Sequence, residues 1–489
     1  MTTSSVRVRF APAPTGLMHL GNVRAALMNY LFARQQEGTF VLRIEDTDLE
    51  RNFDPGAQHI IKDLQWLGLT YDEGPEKEGF CGPYFQSQRT DLYNEQLRIL
   101  QEKGYAYRCF CTQEELEKKR LRQIALKQAP RYDRTCLKRS ADQIEELLAN
   151  KTPFIWRMHL GKDQSVTITD LGHGTMTFDL NHFSDFSLTR QDGSVTFMLA
   201  NCVDDIAMKI SHIFRGEDHL TNTAGQAALY KAFGAELPIY WHMPILCNID
   251  GKKLSKRDFG FSLNDLRNAG FLPEAICNYL GITGGRSFAN EIMSLPELVK
   301  AISFENIHTS GHVKYDVEKL RWVNHKWINQ CGPEHLARSA WPFMIKQFPQ
   351  VETMPQETVM NLVQAVKNDV HTLDELGNAL AFYFVKPEVT RDDLSAHVQH
   401  EYIEPVIEMA RENIEKLSDS PADFLSALKT AAKARNVPLK PLFTALRLAL
   451  TGKPVGPGID ELITILGVKE AKKRIASLLL VSVKTLLEL

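Results

Sequence analysis

The chain has 489 residues, 44% of them apolar, and a formal net charge of −3; about three domains is the ordinary expectation for that length. Residues 1–10 carry Arg7 and Arg9 and no apolar run of signal-peptide length, and the apolar tail stretch 476–483 is too short for a membrane span, so a cytoplasmic protein without membrane partners is expected. Eight cysteines over this length do not make a disulfide scaffold.

Val6, Val8 and Phe10 alternate with Arg7 and Arg9, the period of a strand. Residues 11–16, Ala-Pro-Ala-Pro-Thr-Gly, break it, and a helix pattern follows with Val23, Leu27, Tyr30 and Leu31 on one face. A second short strand over 39–44 runs into Glu45-Asp46-Thr47-Asp48. Strand, helix and strand in this order begin a parallel α/β sheet. From about 105 the character changes to a cysteine cluster, a basic run and strand-like pieces at 154–158 and 165–169, which read as an insertion. Sheet-and-helix character returns near 206–215 and 244–248. Beyond about 263 helices dominate, punctuated by Pro273, Pro296, Pro333 and Pro355, and 372–489 is nearly all helix pattern. The expected boundaries fall near 105, 205, 262 and 330.

Three segments carry chemistry. His19-Leu20-Gly21-Asn22 opens the first helix, where free backbone N–H groups and the helix dipole favour a phosphate. His19 would add a hydrogen bond, and Gly16 and Gly21 would let the backbone come close to the ligand. Asp250-Gly251 turns into a basic loop, 252–257, whose lysines suit a triphosphate with growing charge. Arg9 and Arg215 stand at the ends of two predicted strands, and two guanidiniums converging at one sheet edge suit a carboxylate. A helix-capping histidine, an exposed basic loop and structural ion pairs are the respective alternatives. Cys109-Phe110-Cys111 and Cys136 form a further cluster; Cys-x-Cys supplies two of the four ligands zinc needs, and three reduced thiols in a metal-free fold is the other reading.

Residues 9–16 followed by His19-Leu20-Gly21-Asn22 resemble the HIGH region of class I aminoacyl-tRNA synthetases, and Lys253-Leu254-Ser255-Lys256-Arg257 resembles their KMSKS loop. Residues 43–48 and 213–219 are similar to further motifs of glutamyl-tRNA synthetases, and the likeness continues through 271–275 and 449–452. It implies a Rossmann-like α/β catalytic domain (1–104 and 206–262) split by an α+β insertion that binds the tRNA acceptor end (105–205). A stem-contact helical domain (263–330) and an all-α anticodon-binding region (331–489), as in the bacterial form, would follow.

The implied reaction is ATP-dependent attachment of L-glutamate to tRNA(Glu) through a glutamyl-adenylate, with Mg2+ and a monomeric enzyme. His19, Lys253 and Lys256 would be catalytic, and Gly16, His19, Gly21, Lys253, Ser255 and Lys256 would bind ATP. Arg9, Ala13, Glu45, Phe197, Asn201 and Arg215 would line the glutamate pocket, the arginines at the side-chain carboxylate and Glu45 near the α-ammonium. Zn2+ would be held through a Cys-x-Cys, Tyr-x-x-x-Cys pattern at Cys109, Cys111, Tyr132 and Cys136. Asn22 stands where the motif usually ends in His or Gly. Phe197 replaces a typical tyrosine and Ala13 a typical serine, so the pocket is expected to hold glutamate with fewer hydrogen bonds while still rejecting glutamine.

Basic residues gather over 118–139 and again between Lys429 and Arg474, as two ends of a bound RNA would require. A glutaminyl-tRNA synthetase, a truncated glutamyl transferase and a non-catalytic tRNA-binding paralogue are the competing readings. The Ala-Pro-Ala-Pro-Thr-Gly form and helical tail oppose the first, chain length the second, and intact His19, Lys253 and Lys256 the third.

Overall fold

The computed structural model describes residues 5–48, 52–284, 288–305, 307, 311–418 and 420–483. It divides into two compact units, Met1–Asp265 with Ile276–Val317, and Leu266–Ala275 with Glu318–Leu489.

In the first unit, β1 (Arg7–Phe10) leads through the broken segment into α1 (Leu20–Gln35) and back to β2 (Thr39–Leu42). The two strands run parallel with Arg9 opposite Val41. The alternating pattern of β1 suggests a half-exposed strand, yet all four of its residues are buried. The reason is ionic: Arg7 meets Glu73 and Arg9 meets Asp205, so both charges are paired inside the protein. On α1, Val23, Leu27 and Leu31 are buried as the pattern requires, but Leu20, Ala26, Met28 and Ala33 are buried too. A helix covered on most faces fits a crossover lying on a sheet.

Helices α2 (Gln58–Trp66) and α3 (Thr90–Glu102) precede β3 (Ala106–Cys109). After α4 (Gln113–Ala125) and α5 (Ala141–Ala149), β4 (Ile155–Met158) pairs antiparallel with β3. Next, β5 (Ser165–Asp170) and β6 (Gly174–Asp179) form an antiparallel ladder. Then α6 (Phe197–Ala207), β7 (His212–Gly216), α7 (Leu220–Phe233) and β8 (Ile239–Met243) complete a sheet ordered β6-β5-β8-β7. β7 and β8 are parallel with Arg215 opposite His242, and Asp170 at the end of β5 pairs with Tyr240 of β8. Ser211 N donates to Arg7 O at 3.0 Å, tying the start of β7 to β1. Leu199, Val203, Ile213, Leu229 and Tyr240 close the core around this sheet; each such side chain contributes about 1.5–3 kcal/mol by leaving water. Short β9 (Leu246–Cys247) pairs with β10 (Val313–Lys314).

The second unit is helical from Val317–Gln330 to Val468–Val483 among its described residues. Its helix ends follow sequence chemistry: Ser420 caps the helix beginning at Pro421, and Gly452 ends another at φ 73°. Arg474, expected on the basic surface, is buried instead, donating to Phe382 O, Leu450 O and Glu470. Among the described residues no helix is long and apolar enough to cross a membrane.

Candidate active site

A cavity of ≈ 260 Å³ opens at the carboxyl ends of β1, β7 and β8, the edge at which open α/β sheets take ligands. Arg9, Glu45, Phe197, Asn201, Arg215, His19, Gly21 and Lys253 all line it. Residues separated by more than 200 positions in the chain are thereby brought to one place.

Behind the cavity lies a charge-balanced cluster. Buried Arg43 reaches Asp205 at 2.6 Å, Glu45 at 3.0 Å and Asp204 at 3.6 Å. Arg9 Nε lies 3.2 Å from Asp205, and Arg89 Nε 2.6 Å from Asp204. Three guanidiniums thus face three carboxylates. Burial works against the Asp205 charge, but Arg43 and Arg9 hold its pKa below the usual range.

Arg215 is not part of that balance. It is 7% exposed, and its recorded partners are neutral: Thr223 Oγ1 at 2.7 Å from Nη2 and His242 Nε2 at 3.5 Å from Nε. Among the described residues no carboxylate lies within ion-pair distance of it. Burial pulls its pKa down to about 10, so it remains a cation at neutral pH. An unbalanced buried cation beside a cavity calls for an anion.

Glu45 shares Arg43 with two aspartates and is also held in orientation by the Asn201 amide. Arg43 Nη2 at 3.0 Å and Asn201 Nδ2 at 2.6 Å both donate to Oε1, and Gln226 Nε2 donates to Asn201 Oδ1 at 2.9 Å. Burial raises its pKa despite Arg43, a penalty that a ligand ammonium would relieve. Phe197, the first residue of α6, faces His219 with ring centres 6.0 Å apart. Burial and then Arg215 hold the His219 pKa at about 4.

At the mouth of α1, His19 Nδ1 accepts from Asn22 N at 3.3 Å while Asn22 Oδ1 accepts from His19 N at 3.3 Å. This reciprocal cap gives Asn22 a defined structural part, and it leaves the proton of a neutral His19 on Nε2. Phe261 stacks on the His19 ring at 5.2 Å. Burial and then Lys253 lower the His19 pKa. A Cβ on Gly21 would stand 3.0 Å from His19 Cε1 and Nδ1, so that ring would have to give way, whereas a Cβ on Gly16 would meet nothing within 4 Å.

The basic loop closes on the same region. Asn248 Oδ1 accepts from Asp250 N and Lys252 N, and Gly251 adopts φ 78° to make the turn. Leu20 N donates to Phe261 O and Leu263 N to Met18 O, which joins the end of the loop to the start of α1. Lys253 enters the lining and pairs with Asp218. Ala13, Gly16, Ser255 and Lys256 are exposed and lie outside the lining. The Ser255 hydroxyl donates to Asp258 at 2.9 Å.

Apart from this cavity, Cys109, Cys111 and Cys136 bring their sulfurs within 4.8 Å of one another. Tyr132 Oη lies 3.3 Å from Cys109 Sγ and 3.7 Å from Cys111 Sγ. The three thiols could supply three of the four ligands that zinc takes, and the Tyr132 phenol is the oxygen beside them. All eight cysteines are free thiols. Nearby, Lys119 pairs with Asp133 and Arg134 with Asp185, so part of the basic run is internally compensated.

Arg43, Asp204, Asp205, Thr223 and His242 were not among the residues expected from sequence. Asp204-Asp205 within the apolar run of α6, and His242 within the apolar strand β8, were the available signals, since buried polar groups need partners.

Comparison with known proteins agrees with this geometry. The model of the class I tRNA synthetase catalytic domain (E and Q) matches residues 5–322, and an anticodon-binding domain model matches 335–479. A glutamate–tRNA ligase of Finegoldia magna is 36% identical, with 96% of this chain and 99% of the relative covered. A second, from Syntrophus aciditrophicus, is 37% identical over 97% and 98% of the two chains. The crystal structure of a glutamate tRNA ligase from Elizabethkingia meningosepticum in complex with its amino acid superposes with a TM-score of 0.84 at 30% identity, covering 97% of this chain and 99% of that one.

Proposed function

We infer that this chain, which belongs to the class I tRNA synthetases of the glutamate and glutamine kind, is a glutamate–tRNA ligase. The observation that carries the choice of amino acid is Arg215, a buried cation at the cavity wall with only neutral partners.

In this reading the side-chain carboxylate of glutamate meets Arg215, with Arg9, itself paired to Asp205, beside it in the cavity wall, while Glu45, steadied by Arg43 and Asn201, takes the α-ammonium. The α-carboxylate then attacks the α-phosphorus of ATP. A C–O–P bond forms, the bond to the β-phosphate oxygen breaks, and its electron pair leaves on pyrophosphate. His19 donates Nε2–H to a phosphate oxygen, and Lys253 and Lys256 balance the charge that grows there. A terminal ribose hydroxyl of tRNA next attacks the glutamyl carbonyl and releases AMP. No side-chain nucleophile is needed, so positioning and electrostatics carry the rate. Mg2+ would arrive with the ATP phosphates and supply further charge neutralisation. Glutamine would bring a neutral amide and leave Arg215 unbalanced.

We assign Zn2+ to Cys109, Cys111, Tyr132 and Cys136, where it would cross-link the insertion mechanically. Residues 105–205 would hold the acceptor end of tRNA(Glu), 263–330 the stem and 331–489 the anticodon. We expect a monomer, because acceptor, stem and anticodon contacts all have a place within one chain. The direct test is charging of purified tRNA(Glu) with labelled glutamate and ATP. Transfer of label supports the reading; tRNA binding without transfer would mark a non-catalytic paralogue.

A further inference from the structure

Arg215 owes its position to a chain of groups that never reaches the cavity. Asp170 ends β5, and its Oδ2 accepts from His242 N at 3.0 Å and pairs with His242 Nδ1 at 2.7 Å. Its Oδ1 accepts from Gly172 N at 2.8 Å and His173 N at 2.9 Å. A carboxylate held this way keeps the His242 proton on Nδ1 and leaves Nε2 as an acceptor. Thr223 Oγ1 lies 2.7 Å from that Nε2, and Arg215 Nη2 donates to Thr223 Oγ1 at 2.7 Å. With the His242 proton on Nδ1 the bonds run from Arg215 to Thr223, from Thr223 to His242 and from His242 to Asp170; His219 O, 3.2 Å from Thr223 Oγ1, is the other acceptor in reach of that hydroxyl and the longer of the two. Asp170, Thr223 and His242 are all buried, and none lines the cavity.

Among these partners Asp170 is the one carboxylate, and it reaches the guanidinium only through His242, which lies 3.5 Å from Arg215 Nε and is also linked to Arg215 Nη2 by way of Thr223. We propose that Asp170, His242 and Thr223 are positioning residues that fix Arg215 through neutral contacts, so that its charge is held in place but left for the substrate carboxylate. A carboxylate in direct contact would orient Arg215 equally well but would compete with glutamate for it. Thr223 is the critical link, because its hydroxyl accepts from Arg215 and donates to His242 at once. Its methyl-bearing isostere valine can do neither.

The proposal rests on the glutamate reading of the cavity. The test is steady-state charging of tRNA(Glu) by the full chain carrying Thr223→Val, Thr223→Ser or Asp170→Asn, with glutamate and ATP varied separately. Thr223→Val should raise the glutamate KM roughly tenfold or more, the loss expected for a hydrogen bond to a charged group, with kcat and the ATP KM within about threefold. Thr223→Ser should restore the glutamate KM, which a purely packing role for the threonine methyl would not permit. Asp170→Asn should move the glutamate KM the same way, and it stands in for the valine variant if that does not fold. A glutamate KM within about twofold of wild type in Thr223→Val, or in Asp170→Asn as its substitute, overturns the relay while leaving the ligase reading intact. A rise of both KM values that serine does not rescue overturns it equally. Wild-type protein that fails to charge glutamate overturns the functional reading, and the relay with it.

Discussion

Lys253 Nζ lies 2.8 Å from Asp218 Oδ2, so the loop lysine assigned to ATP phosphate is held by a carboxylate at the cavity rim before any nucleotide arrives. Both partners are well exposed, with side chains 63% and 44% accessible, and such pairs exchange readily for a stronger anion. Lys253→Ala should lower kcat by roughly 100-fold or more, with a smaller effect on the glutamate KM. Asp218→Asn should change kcat by less than about fivefold, since it removes a resting partner and not a transition-state contact. Charging assays on both variants check this; a Lys253→Ala enzyme with wild-type kcat would remove that lysine from the chemistry.

The two kinds of arginine at the cavity should respond oppositely to loss of charge. Arg43→Met strands Glu45, Asp204 and Asp205 without their shared cation, and should cost about 3–5 kcal/mol of stability. Arg215→Met removes a buried charge that has no carboxylate partner, so the ligand-free Tm should not fall. The same variant should lose about 3–5 kcal/mol in kcat/KM for glutamate. Thermal unfolding of both proteins without ligand distinguishes the cases, and a large drop in Tm for Arg215→Met would show that its charge is structurally compensated.

The first βαβ unit and the helical tail were legible because their signals are local: alternation at Arg7–Phe10, the broken turn before His19, and proline and glycine at helix ends. The convergence of His19, Arg9, Arg215 and Lys253 was legible from motif order. What supports them was not. Arg43 finds Asp205 162 positions away and Asp170 finds His242 72 positions away, contacts that leave no periodic trace in sequence. The burial of Arg7 and Arg9 shows the same limit, since their alternation with Val8 marks a strand but says nothing of carboxylates elsewhere waiting to pair with them. Asn22, a departure from the usual motif, closes the cap on His19 with its side chain, a role the motif does not reveal.

For the cysteine cluster, protein purified without chelator should carry about one zinc per chain, and Cys111→Ser should release it. Because the cluster packs with Phe110 and Phe154 near the β3–β4 ladder, its loss should weaken use of tRNA more than binding of ATP. Metal analysis finding no zinc would leave three reduced thiols.

Acid should expose the carboxylate at the end of β5. Burial would raise the Asp170 pKa, but hydrogen bonds from His242 and from the His173 and Gly172 amides hold it at about 2, against about 3.9 unfolded. A depressed folded pKa means stability that is complete above about pH 4 and is lost as pH falls through 2, worth about 2.5 kcal/mol in all. Asp170→Asn should therefore be less stable than wild type at neutral pH and show a shallower acid limb. Chemical denaturation at a series of pH values checks the slope; parallel acid limbs would contradict it.

Arg215, the buried cation without a carboxylate partner, is what selects a carboxylate, and the measurement that meets this most directly is kcat/KM for glutamate and for glutamine on the same tRNA(Glu). Ala13 lies outside the cavity lining, so of the two missing hydroxyls the one at Phe197 bears on affinity; a hydrogen bond is worth about 0.5–1.5 kcal/mol, and Phe197→Tyr should lower the glutamate KM. Selectivity should not depend on either, because the penalty for glutamine arises from a buried guanidinium left without an anion. The account predicts that glutamate is preferred by roughly 100-fold or more, a preference that disappears in Arg215→Met as glutamate use falls. Glutamine used as well as glutamate by the wild-type enzyme would contradict it.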